Sequence, residues 1–158
     1  MIRPAEERDI PRVMDLLRQV AQVHHDIRPD LFRFDATKYT PGELRKIFAD
    51  ENTPVFVYDD AGEVKGYCFC LIKRHLSDGA LNDHTELYID DLCVDAGCRG
   101  QGIGTQLYAY AVSFARGSGF GYITLNVWEG NKTALDFYKT MGLRPLKYVM
   151  EQSLKEDT

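Results

Sequence analysis

No stretch of this sequence approaches the roughly 20 consecutive apolar residues that a helix needs to cross a bilayer, so no membrane partner is expected. The opening residues, "MIRPAEERDI", also lack the apolar segment of a secretory signal, which makes a cytoplasmic location the expectation. Cysteine is sparse. The four thiols, at positions 68, 70, 93 and 98, give C-x-C and C-x4-C spacings that match no common zinc pattern, and reduced thiols with no metal are expected. An excess of positive charge is missing as well: the formal net charge of −5 argues against nucleic acid as a partner and suits a cationic substrate better. Linker-like, low-complexity and repeated segments are absent. With 44% apolar and 27% charged residues, the 158 positions have the balance of one globular domain spanning 1–158.

What is present is a succession of helical and strand-like segments. Residues 1–3 read as the start of a strand. Ile10, Val13, Met14, Leu16, Leu17, Val20 and Val23 then recur with helical rhythm, ending near Asp26 where "IRPD" brings a proline. Residues 27–40 are irregular yet carry Leu31, Phe32 and Phe34, which suits either a wall over a substrate or ordinary loop packing. Thr40-Pro41-Gly42-Glu43 supplies an N-cap, a proline at the first helical position and a capping-box glutamate for a helix to about Asp50. "VFVY" (55–58), the turn "DDAG" and "EVKGYCFCLIKR" predict a hairpin, and "TELYIDDLCV" (85–94) a further strand. A helix is expected from about Gly102 to Arg116, a strand at "GYITLNV" (121–127) and a helix at "NKTALDFYKTMG" (131–142), capped by Gly142. The closing "PLKYVMEQSL" reads as an edge strand. This order predicts an α/β protein whose mixed sheet is covered by helices on both faces.

Residues 98–107, "CRGQGIGTQL", place glycines at 100, 102 and 104, directly after a strand and running into a helix. Successive N–H groups at a helix start have no internal partner, and the helix dipole adds positive potential there. Glycine lets a phosphate come close to such a backbone, and Arg99 can screen further negative charge. A Walker loop is excluded because no lysine follows, and the dinucleotide fingerprint fails because its third glycine would fall at Thr105.

"RGQGIG", Arg99 to Gly104, matches the R/Q-x-x-G-x-G/A signature of the GNAT acetyltransferase superfamily, and "NKTALDFY" fits that family's N-x-x-A-x-x-F-Y helix. Both motifs fall in order on the expected elements across roughly residues 50–145, and "IRPAEERDIPRVMDLL" looks like the family's opening strand and helix. The chain therefore resembles a GNAT protein. The resemblance implies a GNAT fold with splayed central strands that hold acetyl-CoA, and no metal. It implies that the backbone of Leu92, Cys93 and Val94 pairs with the pantetheine arm. It further implies that Arg99, Gly100, Gln101, Gly102, Ile103, Gly104 and Thr105 surround the pyrophosphate. Asn131 would hydrogen-bond the arm, and Tyr138 would protonate the departing thiolate. Asn131 and Tyr138 lie seven residues apart on one helix face with Ala134 between them; read alone, Asn131 is equally an N-cap and Tyr138 a packing aromatic.

An amine of lysine type, with a pKa near ~10.4, must lose a proton before it attacks a thioester. Strand 85–94 offers Glu86, Asp90 and Asp91. Neighbouring strand residues point to opposite faces unless a bulge intervenes. Asp90, in alternation with Leu92 and Val94, is the preferred base and Asp91 the next, although either could merely pair with a basic residue. Tyr138, Asp90 and Asp91 are thus the catalytic candidates. Cys93 supplies a covalent alternative. His24 and His25, with Asp26 and Asp30, are candidates for the acceptor wall. Asn126 stands where ribosomal and N-terminal protein acetyltransferases of the superfamily often carry a glutamate, which weighs against a protein N-terminus as acceptor. The expected activity is transfer of an acetyl group from acetyl-CoA to a small-molecule primary amine by direct attack. The alternatives are acetylation of a protein or peptide amino group, or a non-catalytic acyl-CoA-binding module. A homodimer is compatible with the resemblance.

Overall fold

The computed structural model describes residues 1–155 and divides into two compact units, Met1–Asn126 and the segment that begins at Val127. The first unit is built on a five-stranded sheet of β1 (Ile2–Pro4), β2 (Val55–Asp60), β3 (Glu63–His75), β4 (His84–Val94) and β5 (Tyr122–Leu125), side by side in that order. All pairs are antiparallel except β4–β5, whose parallel pairing requires a crossover; α3 (Ile103–Gly117) supplies it. α1 (Ile10–Ile27) and α2 (Pro41–Ala49) complete this unit. The expected capping box at the start of α2 forms, with Thr40 accepting from the Glu43 amide and the Glu43 carboxylate accepting from the Thr40 amide. No helix among the described residues is long and apolar enough to cross a membrane.

Strand alternation distributes the core between two faces. Val55 and Val57 of β2, Tyr67 and Phe69 of β3 and Cys93 of β4 pack with Ile10, Val13, Leu16 and Leu17 of α1 and Leu44 of α2. Phe56, between the two valines, points the other way and meets Tyr110 and Phe114 of α3 edge-on at 4.8 and 5.4 Å. Full burial of side chains such as Leu16, Leu44 and Leu107 contributes about 1.5–3 kcal/mol each. α3 comes close to the sheet because β3 carries Gly66: a Cβ there would lie 2.8 Å from the Cys93 carbonyl oxygen and 3.3 Å from Ile103 Cγ2.

The β4–β5 ladder begins at Glu86 opposite Tyr122 and ends at Ile89 opposite Leu125, whereas β4 runs on to Val94. Residues 91–94 are therefore paired with β3 on one side, and residues 90–94 have no strand on the other.

In the second unit, α4 (Lys132–Thr140) forms, with Gly142 just beyond it at φ 101°. The edge strand expected at 145–154 does not. Its Tyr, Val and Met residues suit a strand, but β-propensity needs a partner ladder, and these residues have none. Leu146, Tyr148, Val149, Met150 and Leu154 are left at least 80% exposed.

Candidate active site

The geometry of the carboxylates turns on a β-bulge. Phe69 lies opposite Asp91 and Cys70 opposite Ile89, so Asp90 is an extra residue with nothing across from it. Regular alternation, which favoured Asp90 by grouping it with Leu92 and Val94, is broken at this point. Both carboxylates meet tyrosines gathered around Phe69. The Tyr39 hydroxyl donates to Asp90 Oδ2 at 2.7 Å while its ring stacks on Phe69 at 5.6 Å. The Tyr67 hydroxyl donates to Asp91 Oδ2 at 2.6 Å while its ring meets Phe69 edge-on at 4.8 Å. Lys38 Nζ donates to Asp90 Oδ1 at 2.8 Å. A cavity of about 110 Å³ opens here, lined by Tyr39, Phe69, Leu71, Thr53 and Asp90. A larger recess of about 330 Å³, beside Glu7 and Arg45, is lined by none of the candidate catalytic residues.

The electrostatics separate the roles of these groups. Burial pushes the Asp91 carboxyl up to about 6, against the hydrogen bond from Tyr67 and the field of Lys38. A carboxylate in this range can accept a proton near neutral pH. Burial also raises the Tyr67 and Tyr39 phenols, which keeps both protonated as donors. Cys93 is a poor nucleophile: its thiol is buried against the Leu16 carbonyl and pushed up to about 12, chiefly by burial. The covalent alternative accordingly has no support in its surroundings. All four cysteines are free thiols.

Beyond β4 the chain turns through Ala96–Cys98 into the glycine segment. Gly100 and Gly102 hold φ of 80° and 79°, a left-handed conformation that disfavours other residues by roughly 1–2 kcal/mol. Gly102 is the N-cap of α3, and no side chain caps that helix. The first helical bond runs from the Gln106 amide to the Gly102 carbonyl, so the amides of Ile103, Gly104 and Thr105 precede the ladder. Ile103 contributes its amide only, since its side chain is buried beside Gly66. Arg99 is exposed. The turn is anchored from α1: Gln19 donates to Asp95 Oδ1 at 2.7 Å and accepts from the Ala96 amide, and Arg12 approaches Asp95 Oδ2 at 3.3 Å.

In the second unit, Asn131 is the N-cap of α4, its side chain accepting from the Ala134 amide at 3.2 Å, which leaves the side-chain NH2 as a donor. Tyr138 is half-buried, its ring edge-on to Phe137 at 5.2 Å. In the first unit, His24 and His25 pack on the loop: His24 lies 4.9 Å from the Phe32 ring, and His25 Nδ1 meets the Phe32 carbonyl at 2.9 Å. Sequence reasoning missed Lys38, Tyr39 and Tyr67, the groups that hold the carboxylates, and Arg12 and Gln19, which hold the turn. Each acts across elements distant in the chain. The only local hint was the capping box that fixes where residues 38 and 39 must end.

Comparison with known proteins agrees with this architecture. The profile of the acetyltransferase (GNAT) family matches residues 19–143. Thialysine N-epsilon-acetyltransferase of Sus scrofa is 28% identical over 152 residues, covering 92% of this chain and 85% of the relative. The solved tetramutant of the BH1408 protein from Bacillus halodurans is 29% identical, covers 98% of this chain and 99% of its own, and superposes with a TM-score of 0.93. The aminoglycoside N-acetyltransferase AAC(6')-Iy, solved with CoA, shares the fold at a TM-score of 0.71 and 15% identity, covering 98% of this chain and 99% of its own. A strand that outruns its neighbour, an uncapped helix start behind two left-handed glycines and a match over most of the length place this chain in the GNAT family of acetyltransferases.

Proposed function

We propose that the chain transfers an acetyl group from acetyl-CoA to the primary amine of a small cationic molecule. The observation that carries this reading is the bulge at Asp90, which turns two carboxylates toward the same cluster of tyrosines beside the open edge of β4. The edge of β4 at Leu92, Cys93 and Val94, paired with β3 but with no strand on its other side, suits the pantetheine amides as a strand-like partner. The glycine turn, from Arg99 through Gly100, Gln101, Gly102, Ile103 and Gly104 to Thr105, suits the pyrophosphate, because the helix start has no side-chain cap and the space around Gly100 and Gly102 is open.

Asp90 acts as the ammonium anchor, a role that Lys38 imitates at 2.8 Å. Asp91 takes the proton from the bound ammonium, directly or through water, because its raised pKa matches that task. The freed amine nitrogen then bonds to the thioester carbonyl carbon, the nitrogen gives up a further proton to water, the carbon–sulfur bond breaks, and the thiolate leaves. By the family resemblance of its motif, Tyr138 gives that thiolate a proton, and Asn131 donates to the arm. The Sus scrofa relative's name, an N-epsilon-acetyltransferase of thialysine, supports an aliphatic amine as the acceptor class.

The test is loss of the acetyl-CoA thioester, followed by chromatography, with polyamines, lysine analogues, aminoglycosides and peptides bearing free amines. Turnover with a small amine, lost in Asp91→Asn, supports the reading. Turnover with peptides alone moves the acceptor to protein. Acetyl-CoA binding with no turnover across the panel overturns it in favour of a binding module.

A further inference from the structure

We infer that the far end of the β3–β4 hairpin holds a divalent zinc ion on His75, His84 and Glu86. The two histidines face each other across the ladder, their rings stacked at 4.4 Å and 17°. Glu86 lies two residues along β4 from His84, on the same face. Its Oε2 is 3.4 Å from His75 Nε2 and 3.8 Å from His84 Nε2, and the three donor atoms all lie within 4.8 Å of one another. Nitrogen and oxygen ligands at 2.0–2.2 Å around tetrahedral zinc stand about 3.4 Å apart, so small side-chain rotations bring all three onto one ion.

The surroundings point the same way. His75 Nε2 is buried and makes no hydrogen bond; its approach to Glu86 has the distance of an ion pair without the direction of an N–H···O bond. An unsatisfied buried nitrogen is costly unless something else uses its lone pair. His84 Nδ1 meets the Asn82 carbonyl at 2.8 Å, which puts the proton on Nδ1 and leaves Nε2 as a free donor of electrons. The Thr124 hydroxyl donates to Glu86 Oε1 at 3.0 Å and so leaves Oε2 for the ion. Both are the outer contacts that orient metal ligands. Lys73, opposite Glu86 on β3, is the cation that could have neutralised it, but its ammonium lies 3.8 Å over the Tyr88 ring instead. Among the described residues the only basic side chains within ion-pair distance of Glu86 are the two imidazoles.

Two histidines and one carboxylate leave a fourth position for water, and imidazole with carboxylate suits zinc. Glu86 is four strand residues from Asp90, about 13 Å along β4, so the ion stands apart from the transfer chemistry. It cross-links the open end of the two longest strands, next to the exposed loop that carries Leu76 and Leu81. The inference does not depend on the acceptor or on the transferase reading.

The experiment uses tag-free protein stripped with a chelator and titrated calorimetrically with zinc chloride. The expected result is one ion per chain and a higher thermal midpoint with zinc. His75→Ala and His84→Ala should each weaken binding at least tenfold and abolish the midpoint shift, and Thr124→Val should weaken it by roughly 10–100-fold, the usual effect of removing an outer contact. Because these variants keep all four cysteines, the same series excludes thiol binding. Cobalt provides a second readout: a tetrahedral d–d spectrum in the wild type that both histidine variants lose. If a histidine variant misfolds by circular dichroism, Glu86→Gln replaces it. Sub-stoichiometric binding to the wild type, or zinc binding unchanged in the variants, overturns the inference.

Discussion

Tyr67 donates a 2.6 Å hydrogen bond to Asp91 from the wholly buried side of the sheet, yet the carboxyl remains harder to ionise than an ordinary aspartate. Burial outweighs the hydrogen bond, and the balance leaves the group near 6. A carboxyl whose pKa is raised by folding favours the folded state while it is protonated. That stability is full below the unfolded value near 3.8 and is lost as pH rises through about 6. Asp91→Asn should therefore be more stable than wild type at pH 8, by up to about 3 kcal/mol, with the difference fading below pH ~4. Urea unfolding at the two pH values measures it; an equally large gain at low pH would contradict the burial account.

The same group should set the acid limb of the rate. Wild-type kcat/KM should rise with pH through an apparent pKa near 6 and then level. In Asp91→Asn the limb should vanish and turnover should fall by about 100-fold or more, while acetyl-CoA affinity stays unchanged. A preserved limb in that variant would assign it to another residue.

Lys38 should compete with the acceptor. Its ammonium is half-exposed, and an ion pair of this kind contributes only about 0.2–1 kcal/mol, so a substrate ammonium can displace it from Asp90. Lys38→Gln is expected to lower the KM for a cationic acceptor by about two- to fivefold. Its positive charge also favours ionised Asp91, so its removal should move the acid limb of kcat/KM to higher pH. A higher KM with an unmoved limb would mean that Lys38 binds substrate instead.

Tyr138 is argued from its motif, and its test separates chemistry from packing. Tyr138→Phe keeps the ring that meets Phe137 and removes only the hydroxyl. Turnover should fall by about 100-fold while the dissociation constant for acetyl-CoA changes little. Unchanged turnover removes the acid role.

How much of this was legible depended on how far apart in the chain the cooperating residues lie. The strand–glycine turn–helix order and the two helix caps were readable because turns and capping are local: α3 starts directly behind Gly100 and Gly102, whose left-handed φ the structure adds, and Thr40 caps as its neighbours required. The facing of Asp90 was not readable, because a bulge is a property of two strands, and only the pairing of Cys70 with Ile89 reveals it. The meeting of His75 and His84 was not readable either, since they face each other only when the hairpin closes. The segment 145–154 misled for the complementary reason: local composition suited a strand that has no partner.

Gly66 was invisible in the sequence for the same non-local reason, and replacing it should disturb the turn before α3. Its φ is ordinary, so alanine meets no backbone strain there; the obstacle is the Cys93 carbonyl oxygen 2.8 Å from where a Cβ would stand, with Leu107 Cδ1 at 3.1 Å and Ile103 Cγ2 at 3.3 Å. A carbonyl in a paired strand cannot move alone, so the start of α3 must lift or β4 must bend. Gly66→Ala should cost about 1–3 kcal/mol, the usual range for overpacking. Because Ile103 opens α3, the same shift should displace the free amides behind Gly102 and weaken acetyl-CoA binding. Gly119→Ala is the control: it has a left-handed φ of 77° but open space around it, so it should lose a similar amount of stability with no effect on the cofactor. Calorimetry with acetyl-CoA on both variants decides the matter, and equal affinities would disconnect Gly66 from the cofactor turn.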